Sequence, residues 1–295
     1  NTSFTNNSAV VDGNSDEIHW GGGAIWTCNA PITIYNSNFT DNNGTYGGAI
    51  RGAVSTYDCL FDNNTATNGN GGAIDVTTDA GLYDQIDLEF NNTVFINNDA
   101  KGNRAQDRAQ GGAIHIYHLK EIEMYYCCCE NNTADRGGAI DFYELEQTIV
   151  ENCTILNNNA SSEGGGMAIF CNRSIFKDTN VSNNNAGTDG GAIWVIGNDA
   201  LFDNITSINN TAERGGSSYV EGQNTVIVNC NITNNTAVYN PVKPDDSGLG
   251  GAIDVKGDNC HIINLTSEDN NAYRGGSTFI RGDNTLVYNS TFDNN

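Results

Sequence analysis

The chain has 295 residues, of which 38% are hydrophobic and 17% charged, with 34 glycines and only 3 prolines. Thirteen Lys and Arg stand against 36 Asp and Glu, and the resulting formal charge of -23 repels nucleic acid and anionic membrane surfaces. No apolar run reaches the ~18 residues of a bilayer span, and a mean hydropathy of -0.43 suits a thin, elongated core whose turns each need few inward side chains.

From the N-terminus the chain opens on Asn1-Thr-Ser-Phe4-Thr-Asn-Asn7 and then meets a Gly-Gly-Ala-Ile block at Gly22. The block returns at Gly47, Gly71, Gly111, Gly137, Gly190 and Gly250, with degenerate copies at Gly165, Gly215 and Gly275. The steps are 25, 24, 40, 26, 28, 25, 25, 35 and 25 residues, so a unit of about 25 has been lengthened by insertion twice. Between the blocks runs a second element ending in Phe or Ile and then Asn-Asn, as in Asn36-Ser-Asn-Phe39 and Asn289-Ser-Thr-Phe292. GGAI then GGSS at 190 and 215 returns as GGAI then GGST at 250 and 275, an offset of 60 that marks duplication of a two-rung unit.

Short β-like runs separated by Gly and Asn turns predict an all-β chain: a single right-handed parallel β-helix spanning 1–295, with about eleven coils and three strands per coil. At about 4.8 Å per coil the rod is about 50 Å long. The Ile three after each first glycine and the apolar residue five after it (Val76, Ile116, Phe142, Val195) point inward. In-register stacking of Asn36, Asn92, Asn152, Asn204, Asn229, Asn264 and Asn289, with Asp58 and Asp178, predicts a side-chain ladder that satisfies turn backbone. Both ends fall in mid-repeat, which predicts a window from a longer array with secretion and anchoring signals elsewhere.

The position four after each first glycine reads Trp26, Arg51, Asp75, His115, Asp141, Phe170 after a one-residue shift, Trp194, Tyr219, Asp254 and Phe279. This column is expected on an exposed outer face. There, Phe170, Trp194, Tyr219 and Phe279 would contact a ligand or partner. Insertions 99–110 and 238–249 interrupt the repeat after the Asn-Asn turn, at one corner, where recognition loops sit on rigid scaffolds; a flexible, solvated loop is the plainer reading of each. The first holds Lys101, Arg104 and Arg108, which would pair with an acidic neighbour. The two carboxylates Asp75 and Asp141, two rungs or about 9.6 Å apart with His115 between them, carry the competing reading, a polysaccharide lyase or glycoside hydrolase. A charge ladder explains the same residues, so no catalytic residue is assigned.

Sequons are dense, and Asn38, Asn63, Asn131, Asn172 and Asn231 are glycosylation candidates in an extracellular protein. Nine cysteines show no metal-type spacing. Cys59, Cys127, Cys153 and Cys230 share a small buried column with Ser37 and Thr93, and Cys127 and Cys153 on neighbouring rungs are compatible with a disulfide. No EF-hand or calcium nonapeptide array is present, so no metal or cofactor is expected beyond weak calcium association.

The GGAI blocks and the FxxN motif (Phe4-Thr-Asn-Asn7, Phe39-Thr-Asp-Asn42, Phe61-Asp-Asn-Asn64, Phe95-Ile-Asn-Asn98) resemble the polymorphic outer-membrane-protein repeats of chlamydial autotransporters. In their Asn-rich wording they resemble more closely the adhesin-like surface proteins of methanogenic archaea. The resemblance implies a secreted β-helix on the cell surface, with roles in adhesion or in an envelope layer or fibre. Its partners would be cell-surface glycans or proteins, or copies of itself end to end. It supplies no catalytic residue.

Overall fold

The computed structural model describes residues 2–10, 21–28, 30–77, 86–102 and 108–295. These wind into a right-handed parallel β-helix, the hand that parallel crossovers take, with four parallel sheets of 11, 9, 10 and 10 strands. No helix of the described residues is long and apolar enough to cross a membrane. One coil runs Ile193–Ile196, Leu201–Asp203, Thr206–Ile208 and Thr211–Ala212. We call the sheets they join C, D, A and B. A coil therefore has four strands, not three. The extra one is the two-residue Thr-Ala after the Asn-Asn turn, too short to show any alternation in sequence.

Each residue pairs with the same repeat position one coil on, as Ile74 with Ile114 and then Ile140, and Phe39 with Phe61 and then Phe95. Register is fixed because a one-residue slip would turn every inward side chain outward. Inside, the Ile column (Ile50, Ile74, Ile114, Ile140) and the next inward column (Val76, Ile116, Phe142) are fully buried. Phe4, Phe39, Phe61 and Phe95 stack with ring centroids 4.7, 4.7 and 5.0 Å apart. Where the duplicated unit writes serine into the core, the hydroxyls pair: Ser207 with Ser217 and Ser267 with Ser277, each at 2.6 Å. The small column of Cys59, Cys127, Cys153 and Cys230 is likewise buried.

The glycine pair turns the corner from B to C. Gly71 has a left-handed φ of 65°, and an added Cβ would collide with the carbonyl of Ile74 in the following strand. The incoming turn therefore lies directly on the outer side of sheet C. Both insertions leave the coil at this B-to-C corner, after Asp99–Ala100 and after Thr236–Ala237. The 40-residue step also holds extra length at a second corner, between Thr77 and Asp87, which the repeat alone did not separate from the first.

Candidate functional site

The outer row of sheet C is in register as Trp26, Arg51, Asp75, His115, Asp141, Ala168, Trp194, Tyr219, Asp254 and Phe279. Contrary to the exposed face expected, its middle is buried: Asp75, Asp141 and Asp254 are 0% exposed and His115 3%. The cause is the glycine turn, which brings the residue before each Gly-Gly over the strand. Arg136, one before Gly137, donates from Nε and Nη2 to Asp141 at 2.5 and 3.0 Å. Asp75 accepts from Thr77 at 3.0 Å and from His115 Nδ1 at 2.8 Å, with Arg51 Nε 3.6 Å away. His115 Nε2 lies 3.9 Å from Asp141, beyond hydrogen-bond reach.

Phe170 does not belong to this row. The left-handed glycine of its coil is Gly164, not Gly165, so the coil's frame begins one residue earlier and Ala168 occupies the position. Phe170 falls two residues further on, in a half-buried strip with Tyr117 and Tyr143. These rings follow one another at 5.7 and 4.8 Å, and Trp194 meets the edge of Phe170 at 4.7 Å. Arg136 covers Tyr143 and Phe170, and Arg214 covers Tyr219. Trp194 is 9% and Tyr219 2% exposed, so neither offers the ring face expected for a partner. Phe279 is half-buried, with the Arg281 guanidinium 5.6 Å from its ring. Arg281 also donates to Asp254 at 2.6 Å, yet burial, only partly offset by Arg281 and Arg214, pushes that carboxyl up to about 7.

Of the basic residues in the first insertion, Arg108 pairs with Glu163 at 2.9 Å, Lys101 with Asp99 at 3.1 Å, and Arg104 lies outside the described residues. The sequon residues Asn38, Asn63, Asn131, Asn172 and Asn231 are all exposed. Cys127 and Cys153 are separate buried thiols rather than a disulfide; each donates to backbone carbonyls, Cys127 to Phe90 at 3.3 Å and Cys153 to Glu151 at 3.3 Å. The Asn column from Asn36 to Asn289 is exposed at left-handed φ and forms a broken ladder, with Asn204 donating to Asp178 at 2.6 Å and Asn264 to Asn229 at 3.0 Å. The continuous ladder stands six residues on, from Asn42 through Asn64, Asn98, Asn132, Asn158, Asn184, Asn210 and Asn235 to Asn270, every member at most 1% exposed. It is the last residue of the FxxN motif. That motif was the signal for it.

As chemistry, the middle of the row is a closed set: the carboxylates Asp75 and Asp141, the guanidinium groups of Arg51 and of Arg136 from the turn, and the His115 imidazole between them. Two open clefts of about 410 and about 360 Å³ lie elsewhere, and neither is lined by Asp75, His115 or Asp141. Among known families, residues 22–212 match the model described as right handed beta helix region, and residues 1–28 match the Chlamydia polymorphic membrane protein repeat. No curated protein and no solved structure matches the chain.

Proposed function

The chain belongs to the right-handed β-helix family, and from that premise we propose that it is a non-catalytic, adhesin-like domain of a cell-surface protein, attaching to surface glycans or proteins. The observation that carries the reading is the repeat itself. Residues 1–28 match the polymorphic membrane protein repeat, the GGAI and FxxN motifs recur through the rest of the chain, and the one acid pair that could serve a glycosidase is buried and neutralised by arginine. Fold alone would leave enzyme and adhesin equal. The Asn-rich wording is our ground for reading the chain beside archaeal adhesin-like proteins as much as chlamydial ones. Contact through sheet C would fall to the half-exposed Tyr117, Tyr143 and Phe170, since Trp194 and Tyr219 lie beneath.

The test has two arms. On intact producing cells, an antibody to the chain should label the surface without permeabilisation. The purified chain, incubated with acidic and neutral polysaccharides, should release no new chain ends. Cleavage products that vanish in the Asp75→Asn, Asp141→Asn double variant would transfer the protein to the enzymes, and labelling only after permeabilisation would remove it from the surface.

A further inference from the structure

Val242 is 85% exposed, the most exposed large apolar side chain among the described residues. It sits at the tip of the 238–249 insertion, where other coils pass the same corner in two residues, as Glu213-Arg214 do between Ala212 and Gly215. The insertion is held firmly. The Ser247 hydroxyl, fully buried, accepts from the Asn240 amide at 2.8 Å and donates to the Lys243 carbonyl at 2.8 Å. Glu213 accepts from Asn240 Nδ2 at 2.6 Å and from Lys243 at 3.0 Å, while Arg214 grips Asp246 at 2.7 Å. Pro241 and Pro244, two of the chain's 3 prolines, flank the tip and restrict it further. A loop fixed this way, and not needed to complete its coil, has already lost the entropy that binding would otherwise cost.

The same corner carries a cleft of about 360 Å³ floored by the Tyr46 ring and walled by Asn68, Asn70, Arg108 and Gln110. Gly69 presses on that ring so closely that a Cβ would strike it. The side chains of Lys101 and Arg108 are each 59% exposed at this insertion, whereas those of Asp245 and Asp246 beside Val242 are 91% and 59% exposed. Lys101 and Arg108 thus stand at the cleft, and beside the knob stand Asp245 and Asp246, with Lys243 turned to Glu213. Asp246 stays with Arg214, which holds the loop, whereas Lys101 and Asp245 are paired only at the surface, with Asp99 and Arg274, so exchange there costs little. The strands before the two insertions are five steps apart in sheet B, about 24 Å at standard strand spacing.

We propose that two copies of the chain pair side by side and antiparallel through this corner, the Val242 knob of each seated in the Tyr46 cleft of the other. A two-fold axis midway between the insertions satisfies both knob-to-cleft contacts at once and closes the assembly. Near 0.15 M salt the Debye length of about 8 Å screens the overall charge of -23 while leaving contacts at the corner intact. The pairing stands whether or not the chain is a surface adhesin.

Sedimentation velocity of the purified chain near 0.15 M salt, up to about 100 μM, tests it against a dissociation constant that would be micromolar at such a contact. The wild type should form dimers. Val242→Glu should weaken them about tenfold or more, with an unchanged far-UV spectrum because the residue touches no core. Lys101→Glu and Asp245→Lys should each weaken the dimer, and the two together in one chain should restore it. A wild type that stays monomeric throughout overturns the proposal. So does a dimer indifferent to Val242→Glu, which would point to end-to-end contact, or one indifferent to both charge reversals.

Discussion

Two asparagine columns run the length of this helix six residues apart, and they do different work. In the inner column, Asn132 donates from its backbone N–H and from Nδ2 to the Oδ1 of Asn158 at 2.9 and 3.0 Å, and again from Nδ2 to the Phe95 carbonyl at 3.0 Å. That leaves nothing unpaired in a site closed to water. In the outer column Asn204 stands exposed at φ 55°, its amide bonded to Asp178, and the same position is filled by Asp58 and even by Tyr126 in other coils. The inner column demands an amide because only a group that donates twice and accepts twice can link successive coils. The outer one needs only a residue that tolerates left-handed backbone. The cost of a polar side chain is therefore set by its burial, not by its place in a ladder.

Asn158→Ala gives the sharpest break. It strands two donors of Asn132 and the carbonyl of Cys129, and should cost about 3–4 kcal/mol in denaturant unfolding. A loss below about 1 kcal/mol would mean that water replaces the amide and that the two columns are equivalent after all.

Asp254 asks whether burial acts alike on the outside of a sheet. Its folded-state carboxyl is raised to about 7 from 3.8, mainly by burial, so between those values the folded chain holds a proton that the unfolded chain has released. Its contribution to stability falls as pH rises through that window and is flat above it. Between pH ~5 and ~8 the wild type should lose roughly 2–3 kcal/mol relative to Asp254→Asn, measured as the difference between their unfolding free energies at each pH. An equal pH dependence in both proteins would show that Arg281 keeps the carboxylate charged.

The smallest effects belong to the outer column. Asn204→Ala should cost about 1–2 kcal/mol for the left-handed residue, and Asn204→Gly within about 0.5 kcal/mol of nothing. If glycine there proves as costly as alanine, the exposed amide bond to Asp178, and not the backbone, supports that corner.

The repeat spells out much of this in advance. Ile50, Ile74, Ile114 and Ile140 recur after a glycine pair and can only stack if each coil lies on the last, so parallel pairing, register and inward columns follow from spacing. The offset of 60 likewise carries Ser217 of one degenerate block to Ser277 of the next, but that Ser207 and Ser267 are their partners is seen only in the structure. The buried asparagines were visible as the end of FxxN, but periodicity cannot tell one recurrent Asn from another six residues away.

Three further matters were decided only when the chain closed on itself. Gly164 rather than Gly165 takes the left-handed turn, which moves Phe170 out of the outer row. The turn before each strand folds over that row, so Asp75, His115 and Asp141 are buried where alternation predicts exposure. Glu213 and Arg214, about one coil before the 238–249 insertion, hold it. Alternation along a strand fixes which way a side chain leaves the backbone, because that is local geometry; what then lies above it depends on a neighbouring turn or coil, and no period within the strand records that.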